Sequence, residues 1–218
     1  MISLTLNKPD KPLRILVMGA HCDDIEIGCG GAILSILNDI PNVKISWIVF
    51  SSTENRKIEA TEGAKLFCQN AETLDLQIFE FEDGFLPYRG EDLKNIFETL
   101  KTEVSPDLIF THYRHDLHQD HRLVSELTWN TFRNHYILEY EIPKWDGDIG
   151  TPNTYVHLDE ATGLTKIKYL QQIYNSQKTK AWFTDDLFWS LMRIRGMESN
   201  SPSCIAEAFF SRKNILKM

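Results

Sequence analysis

Paired cysteines are missing from this chain: Cys22, Cys29, Cys68 and Cys204 are scattered over 218 residues with no C-x-x-C among them. That spacing excludes a zinc ribbon and is too sparse for a disulfide scaffold, so reduced thiols are expected. No apolar run approaches the roughly 18 residues that a membrane helix needs. The first residues, MISLTLNKPDKPLR, lack the apolar stretch of a signal peptide. A cytoplasmic location without membrane insertion is the resulting expectation. Positive charge is scarce as well, with 23 Lys and Arg against 31 Asp and Glu and a formal net charge of -8. No nucleic-acid partner is expected, because binding to phosphates rests on clustered cations. Low-complexity linkers and abrupt composition shifts are also absent, and a chain of this length suits one core, so a single domain over 1–218 is expected.

What is present is an alternation. RILVMGA (14–20) is a short apolar run of strand type, and GGAILSILNDI (30–40) carries apolar residues at helical spacing. The step repeats with KISWIVFSS (44–52) and RKIEATEGAKLFCQN (56–70), then with LQIFEFEDG (76–84) and EDLKNIFETLKTEV (91–104). PDLIFTH (106–112) is a fourth strand, and the spacing predicts a fourth helix over DHRLVSELTWNTFRNHYI, residues 120–137. Beyond it KWDGDIGTPNT reads as a loop, TYVHL and CIAEAFF as strands, and TKIKYLQQIYNSQ and TDDLFWSLMRIR as helices. Such alternation predicts an α/β fold with a mostly parallel sheet and helices on both faces. Ligands bind beyond the carboxyl ends of the strands in folds of this kind.

The polar residues fall at those ends. His21, Asp23 and Asp24 follow the first strand, and THYRHDLHQDHR closes the fourth. In that second cluster His112, His115, His118 and His121 recur every three residues, with Asp116 and Asp120 between them. Imidazole and carboxylate suit a catalytic zinc ion, which takes three protein ligands and leaves a fourth position for water. A carboxylate beside that water but off the metal can serve as base, so adjacent aspartates can divide those tasks. One of them could instead cap the helix that begins near Glu26. The glycines of GCGG suggest a dinucleotide turn, but Ile33 stands where a third glycine is needed and the second strand ends in FSS without an acid. Gly28, Gly30 and Gly31 are better read as places of close packing or of backbone approach to a ligand.

AHCDDIEIGCGGA resembles the A-H-P-D-D-x-x-x-G-x-G-G signature of the LmbE-like and PIG-L family of metal-dependent N-acetyl sugar deacetylases, and HQDH resembles its H-x-D-H signature. Between them NRKIEATEGAKLF is similar to the family's R-x-x-E-A-x-x-A segment, and FEDGFLP to its aspartate-glycine turn. The resemblance covers roughly residues 13 to 125. It implies a Rossmann-like fold and hydrolysis of an N-acetyl group on an amino sugar or sugar conjugate of the GlcNAc type. It also implies His21, Asp24 and His121 as ligands of Zn2+, with Fe2+ or Co2+ as alternatives, and Asp23 as general base. His118 would sit beside the oxyanion and Asp120 would orient that imidazole. A trimer or hexamer is a further implication.

One position departs from the pattern: Cys22 stands where the family carries proline, which loosens the turn and puts a thiol near the ligands. Substrate contacts are less determined. Arg56 and Arg89 are candidates for hydroxyl or phosphate contacts, Tyr113 for an assisting hydroxyl, and Trp145, Trp182, Trp189 and Tyr155 for sugar stacking or core packing. Two other readings share some of these residues. His21-x-Asp23 with a remote histidine is also the pattern of non-haem Fe(II) oxygenases, and a catalytically silent binding module could keep the fold and the metal.

Overall fold

The computed structural model describes residues 3, 5, 6 and 11–215. Its strands are β1 (Leu13–Gly19), β2 (Val43–Ser51), β3 (Thr73–Phe81), β4 (Leu108–His112), β5 (Tyr136–Tyr140), β6 (Thr154–His157) and β7 (Ala206–Phe210). The helices are α1 (Asp24–Asp39), α2 (Glu54–Phe67), α3 (Gly90–Glu103), α4 (Gln119–Thr131), α5 (Glu160–Ile173) and α6 (Asp185–Glu198). All seven strands join one sheet in the order β3-β2-β1-β4-β5-β7-β6. Pairing is parallel from β3 through β5, and β7 runs antiparallel to both β5 and β6. This is the expected α/β architecture.

The continuous apolar runs of β1, β2 and β4 are explained by cover on both sides. Successive side chains alternate between faces. Ile15, Val17, Ile45 and Trp47 point into a core shared with α1, α2, α5 and α6, whereas Leu16, Met18, Ile48 and Phe50 meet α3 and α4. No helix among the described residues is long and apolar enough to cross a membrane.

Several boundaries differ from the sequence reading, among them those of the fourth and fifth helices. The fourth helix stops at Thr131, and Tyr136 and Ile137, expected as its tail, begin strand β5. The run Tyr-Ile-Leu has strand propensity, and beside β4 it finds a partner for its whole backbone. Helix α5 starts at Glu160, five residues before the predicted segment, because the Asp159 carboxylate accepts the Thr162 N–H at 2.6 Å and caps it.

The glycines of α1 are close-packing positions. A Cβ at Gly28 would lie 2.2 Å from the Tyr140 ring, and one at Gly31 would lie 2.6 Å from Leu158. Their absence lets α1 settle onto β5 and the β6–α5 connection. Gly28→Ala is therefore expected to destabilise the fold by about 1–3 kcal/mol through overpacking. Gly90→Ala, which meets nothing within 4 Å, is expected to stay within about 0.5 kcal/mol of wild type; denaturant unfolding of the two variants checks the contrast.

Candidate metal centre

Strands β1 and β4 are parallel neighbours, so the segments following them emerge side by side. One carries His21, Asp23 and Asp24, the other His112 through His121. Asp23 has φ 144°, a left-handed value that a non-glycine residue rarely adopts. The turn sends the two aspartates to different partners. Asp23 Oδ1 accepts from Arg56 Nη2 at 2.8 Å, and Arg56 also donates to the Cys22 carbonyl. Asp24 Oδ2 accepts the His21 N–H at 2.7 Å. Neither carboxylate caps α1 in the manner the sequence suggested: Asp23 occupies the cap position, but only its carbonyl engages the helix, accepting the Ile27 N–H at 2.9 Å.

His21 Nδ1 lies 3.1 Å from His121 Nε2 and 3.4 Å from Asp24 Oδ2, and the third side of that triangle, His121 Nε2 to Asp24 Oδ2, is 3.5 Å. A tetrahedral ion with bonds of about 2.0–2.1 Å spaces its ligands about 3.3 Å apart, so these donors fit zinc in size and in chemical type. The far nitrogens are also engaged. His121 Nδ1 is 2.9 Å from Asp116 Oδ2, and His21 Nε2 is 3.1 Å from Asp120 Oδ2 and 3.0 Å from Asp83 Oδ1. A carboxylate that accepts a hydrogen bond from one ring N–H leaves the lone pair of the other nitrogen for a metal.

Among the described residues three overlapping sets of side chains bring candidate ligand atoms within 4.8 Å of one another, and each contains His21 or His121. One set pairs Asp24 and His121 with His112. His112 Nε2 already accepts the Ala20 N–H at 2.9 Å, which occupies the lone pair a metal would need. Its ring stacks on that of His121 with centroids 3.9 Å apart.

Electrostatics separate the two aspartates. Burial pushes the Asp23 pKa up, opposed by the Arg56 guanidinium and reinforced by the charge of Asp24. Asp24 is equally buried, but His121 and His112 outweigh that penalty and hold its carboxyl well below the usual range. Burial would lower the His21 pKa, yet hydrogen bonds to Asp120 and Asp24 raise it well above its ordinary value. His121, buried beside His112, is pushed down to about 4. Asp24 is thus an ionised carboxylate and His121 an imidazole that resists protonation, while Asp23 has a raised proton affinity.

Asp120 does not orient His118 as the sequence suggested. Its carboxylate meets His21 Nε2 at 3.1 Å and accepts the Gly84 and Leu86 N–H groups, at 2.7 and 3.2 Å. His118 is instead fixed by the backbone: it caps α4, its Nδ1 accepting the Asp120 N–H at 3.2 Å. The proton of its neutral ring therefore sits on Nε2. Burial and the neighbouring His21 lower its pKa and favour that neutral form.

The other predicted residues sort differently. Arg56 is the partner of Asp23. Arg89 closes onto Asp92 at 2.7 Å on the surface, and the structure does not bring it to the donor triangle. Tyr113 stacks on Phe210 with centroids 3.7 Å apart. The Cys22 thiol is buried, donates to the Ser51 carbonyl at 3.4 Å and has its pKa raised by that burial, so it turns away from the ligands. Asp83 and Asp116 received no role from the sequence. Asp116 could have been found from its place five residues before His121, and Asp83 from the aspartate-glycine turn.

A family model described as PIG-L, GlcNAc-PI de-N-acetylase, matches residues 16–132. Among solved structures, N,N'-diacetylchitobiose deacetylase from Pyrococcus horikoshii superposes with a TM-score of 0.67 at 19% identity, over 91% of this chain and 83% of that one. The A40926 pseudoaglycone deacetylase Dbv21 gives 0.70 at 14% identity, over 95% and 100%. GalB, the 4-carboxy-2-hydroxymuconate hydratase from Pseudomonas putida KT2440, gives 0.72 at 14% identity, over 94% and 98%. At such identities these likenesses establish the fold, which hosts a hydratase as well as deacetylases. The family match covers more than half of the chain and both segments that build the donor triangle; this chain belongs to the PIG-L family of metal-dependent N-deacetylases.

Proposed function

We propose that this protein removes the acetyl group from an N-acetylated amino sugar of the GlcNAc type, using one zinc ion held by His21 Nδ1, Asp24 and His121 Nε2. The observation that carries the reading is the near-regular donor triangle with a second, more basic carboxylate in the adjacent residue. Iron(II) or cobalt(II) suits the same ligands. When bound, the ion polarises the acetyl carbonyl and lowers the pKa of a water toward about 7.

The chain's own residues supply the proton traffic. Arg56 holds Asp23 by Oδ1, which leaves Oδ2 to accept a proton from the attacking water. The water oxygen forms the new bond to the acetyl carbon. His118 offers its Nε2–H to the developing oxyanion as a neutral donor, an interaction of a kind worth about 3–4 kcal/mol in the transition state. As the carbon–nitrogen bond breaks, Asp23 passes its proton to the departing amine, and acetate and the free amino sugar leave. Asp116 and Asp120 keep the ligand imidazoles in their metal-binding tautomers.

Acetate release from a panel of N-acetylated amino sugars, free and conjugated, tests the reading. Metal-free protein is expected to be inactive and to regain turnover with zinc; no acetate from any substrate with the metal stoichiometrically bound would contradict it. Asp23→Ala is expected to lower kcat by about 10²–10⁴ with zinc content unchanged. A base must be ionised to act, and Arg56 lowers the Asp23 pKa. Arg56→Gln is therefore expected to move the acidic limb of the kcat/KM profile to higher pH, and an unmoved limb would detach Asp23 from that limb.

A further inference from the structure

Residues 141–153 form a loop outside the donor triangle that is nevertheless bonded to it. Lys144, whose side chain is 8% exposed, reaches Asp148 Oδ2 at 2.5 Å and Asp116 Oδ2 at 3.0 Å. That Asp116 oxygen is the one engaged by His121 Nδ1. Asp148 Oδ2 also accepts the Leu117 N–H at 2.7 Å, and Asp116 Oδ1 accepts the His118 N–H at 2.8 Å. Gly147, at φ +63°, reverses the chain so that Asp148 returns to Lys144. The outer parts of the loop are held by Arg195, which pairs through two nitrogens with Glu141 at 2.7 Å each and donates to the Gly150 carbonyl at 3.1 Å. Between these anchors the loop presents Trp145, 72% exposed, and Ile149.

We propose that Lys144 is a positioning residue for the metal centre: through Asp116 it ties residues 141–153 to His121, so that ion binding and order in the loop support each other. The inference rests on the metal reading above. One ammonium serves two carboxylates here, with Asp146 further off at 3.9 Å. Without it, the nearly buried oxygens of Asp116 and Asp148 would face each other with their charge uncompensated, which is strongly unfavourable. The loop then lifts away, or Asp116 turns from His121. Both outcomes weaken the bond that fixes this imidazole for the ion. Coupling of this kind is reciprocal: an ion that draws His121 into place favours Asp116, Lys144 and the loop in their bonded arrangement. Trp145, the residue after Lys144, is thereby set in place when the centre is loaded.

The test measures zinc affinity by chelator competition and hydrogen exchange of residues 141–153 with and without zinc, in the full-length wild type, Lys144→Met and Lys144→Arg. In the wild type, zinc is expected to slow exchange in the loop. Lys144→Met is expected to weaken zinc binding by about tenfold or more, as loss of outer partners of a ligand histidine does, and to erase the zinc-dependent protection. Lys144→Arg, which restores the cation, is expected to bind zinc more tightly than Lys144→Met and to keep the protection. If Lys144→Met does not fold, Asp148→Asn cuts the tie from the loop side and carries the same expectation for exchange. Wild-type zinc affinity in Lys144→Met, or a loop whose exchange ignores zinc in the wild type, would overturn the proposal. Failure of the wild type to bind zinc at all would instead overturn the metal centre and this inference with it.

Discussion

Two imidazole–carboxylate pairs, His121 with Asp116 and His21 with Asp120, decide which ring nitrogen each histidine turns toward the centre. A neutral imidazole has one donor and one acceptor nitrogen, so a proton committed to the outer carboxylate leaves the inner nitrogen as a ligand. The remaining contacts serve that constraint. Asp120 is held by the N–H groups of Gly84 and Leu86, which draws the β3–α3 connection against the site. Asp116 sits between His121 and Lys144, which draws in the loop after β5. The histidines of the donor triangle and the surrounding loops are therefore one hydrogen-bonded unit.

The same arrangement gives adjacent aspartates opposite properties. Two buried carboxylates this close cannot share one environment at low cost. Asp24 faces three imidazoles, those of His121, His112 and His21, and stays ionised; Asp23 faces a single guanidinium and keeps a raised affinity for a proton. The unusual φ of Asp23 is what allows the separation, because it turns one carboxylate toward α2 and the other toward the β4 segment. Strain concentrated at one residue of a site is a recurrent way of fixing reacting groups.

Much of the fold was legible because β1, β2 and β4 each carry a continuous apolar stretch, Ile15–Met18, Trp47–Phe50 and Leu108–Phe110, the pattern of strands buried on both faces. The strand at Tyr136–Tyr140 was not: apolar residues spaced from Val124 to Ile137 fit a helix, and only the open edge of β4 shows that the last of them belong to the sheet. At the site, the sequence brought His21, Asp23, Asp24, His118 and His121 to one rim, since strand ends in such folds converge. It could not assign hydrogen bonds. That Asp120 turns to His21, that Arg56 holds Asp23 and that Lys144 reaches Asp116 depend on side-chain directions across 99, 33 and 28 residues of chain, to which local periodicity is blind. Arg89 was a candidate by residue type and Tyr113 as the family's assisting hydroxyl, and their observed partners are Asp92 and Phe210.

The most direct test of this account is anomalous diffraction at the zinc edge from crystals of the zinc-loaded protein. The account predicts an ion within about 2.0–2.2 Å of His21 Nδ1, an Asp24 oxygen and His121 Nε2, with Asp23 beside it but uncoordinated. An ion ligated by His112, or bound through the Nε2 side of His21 against Asp83 and Asp120, would contradict it.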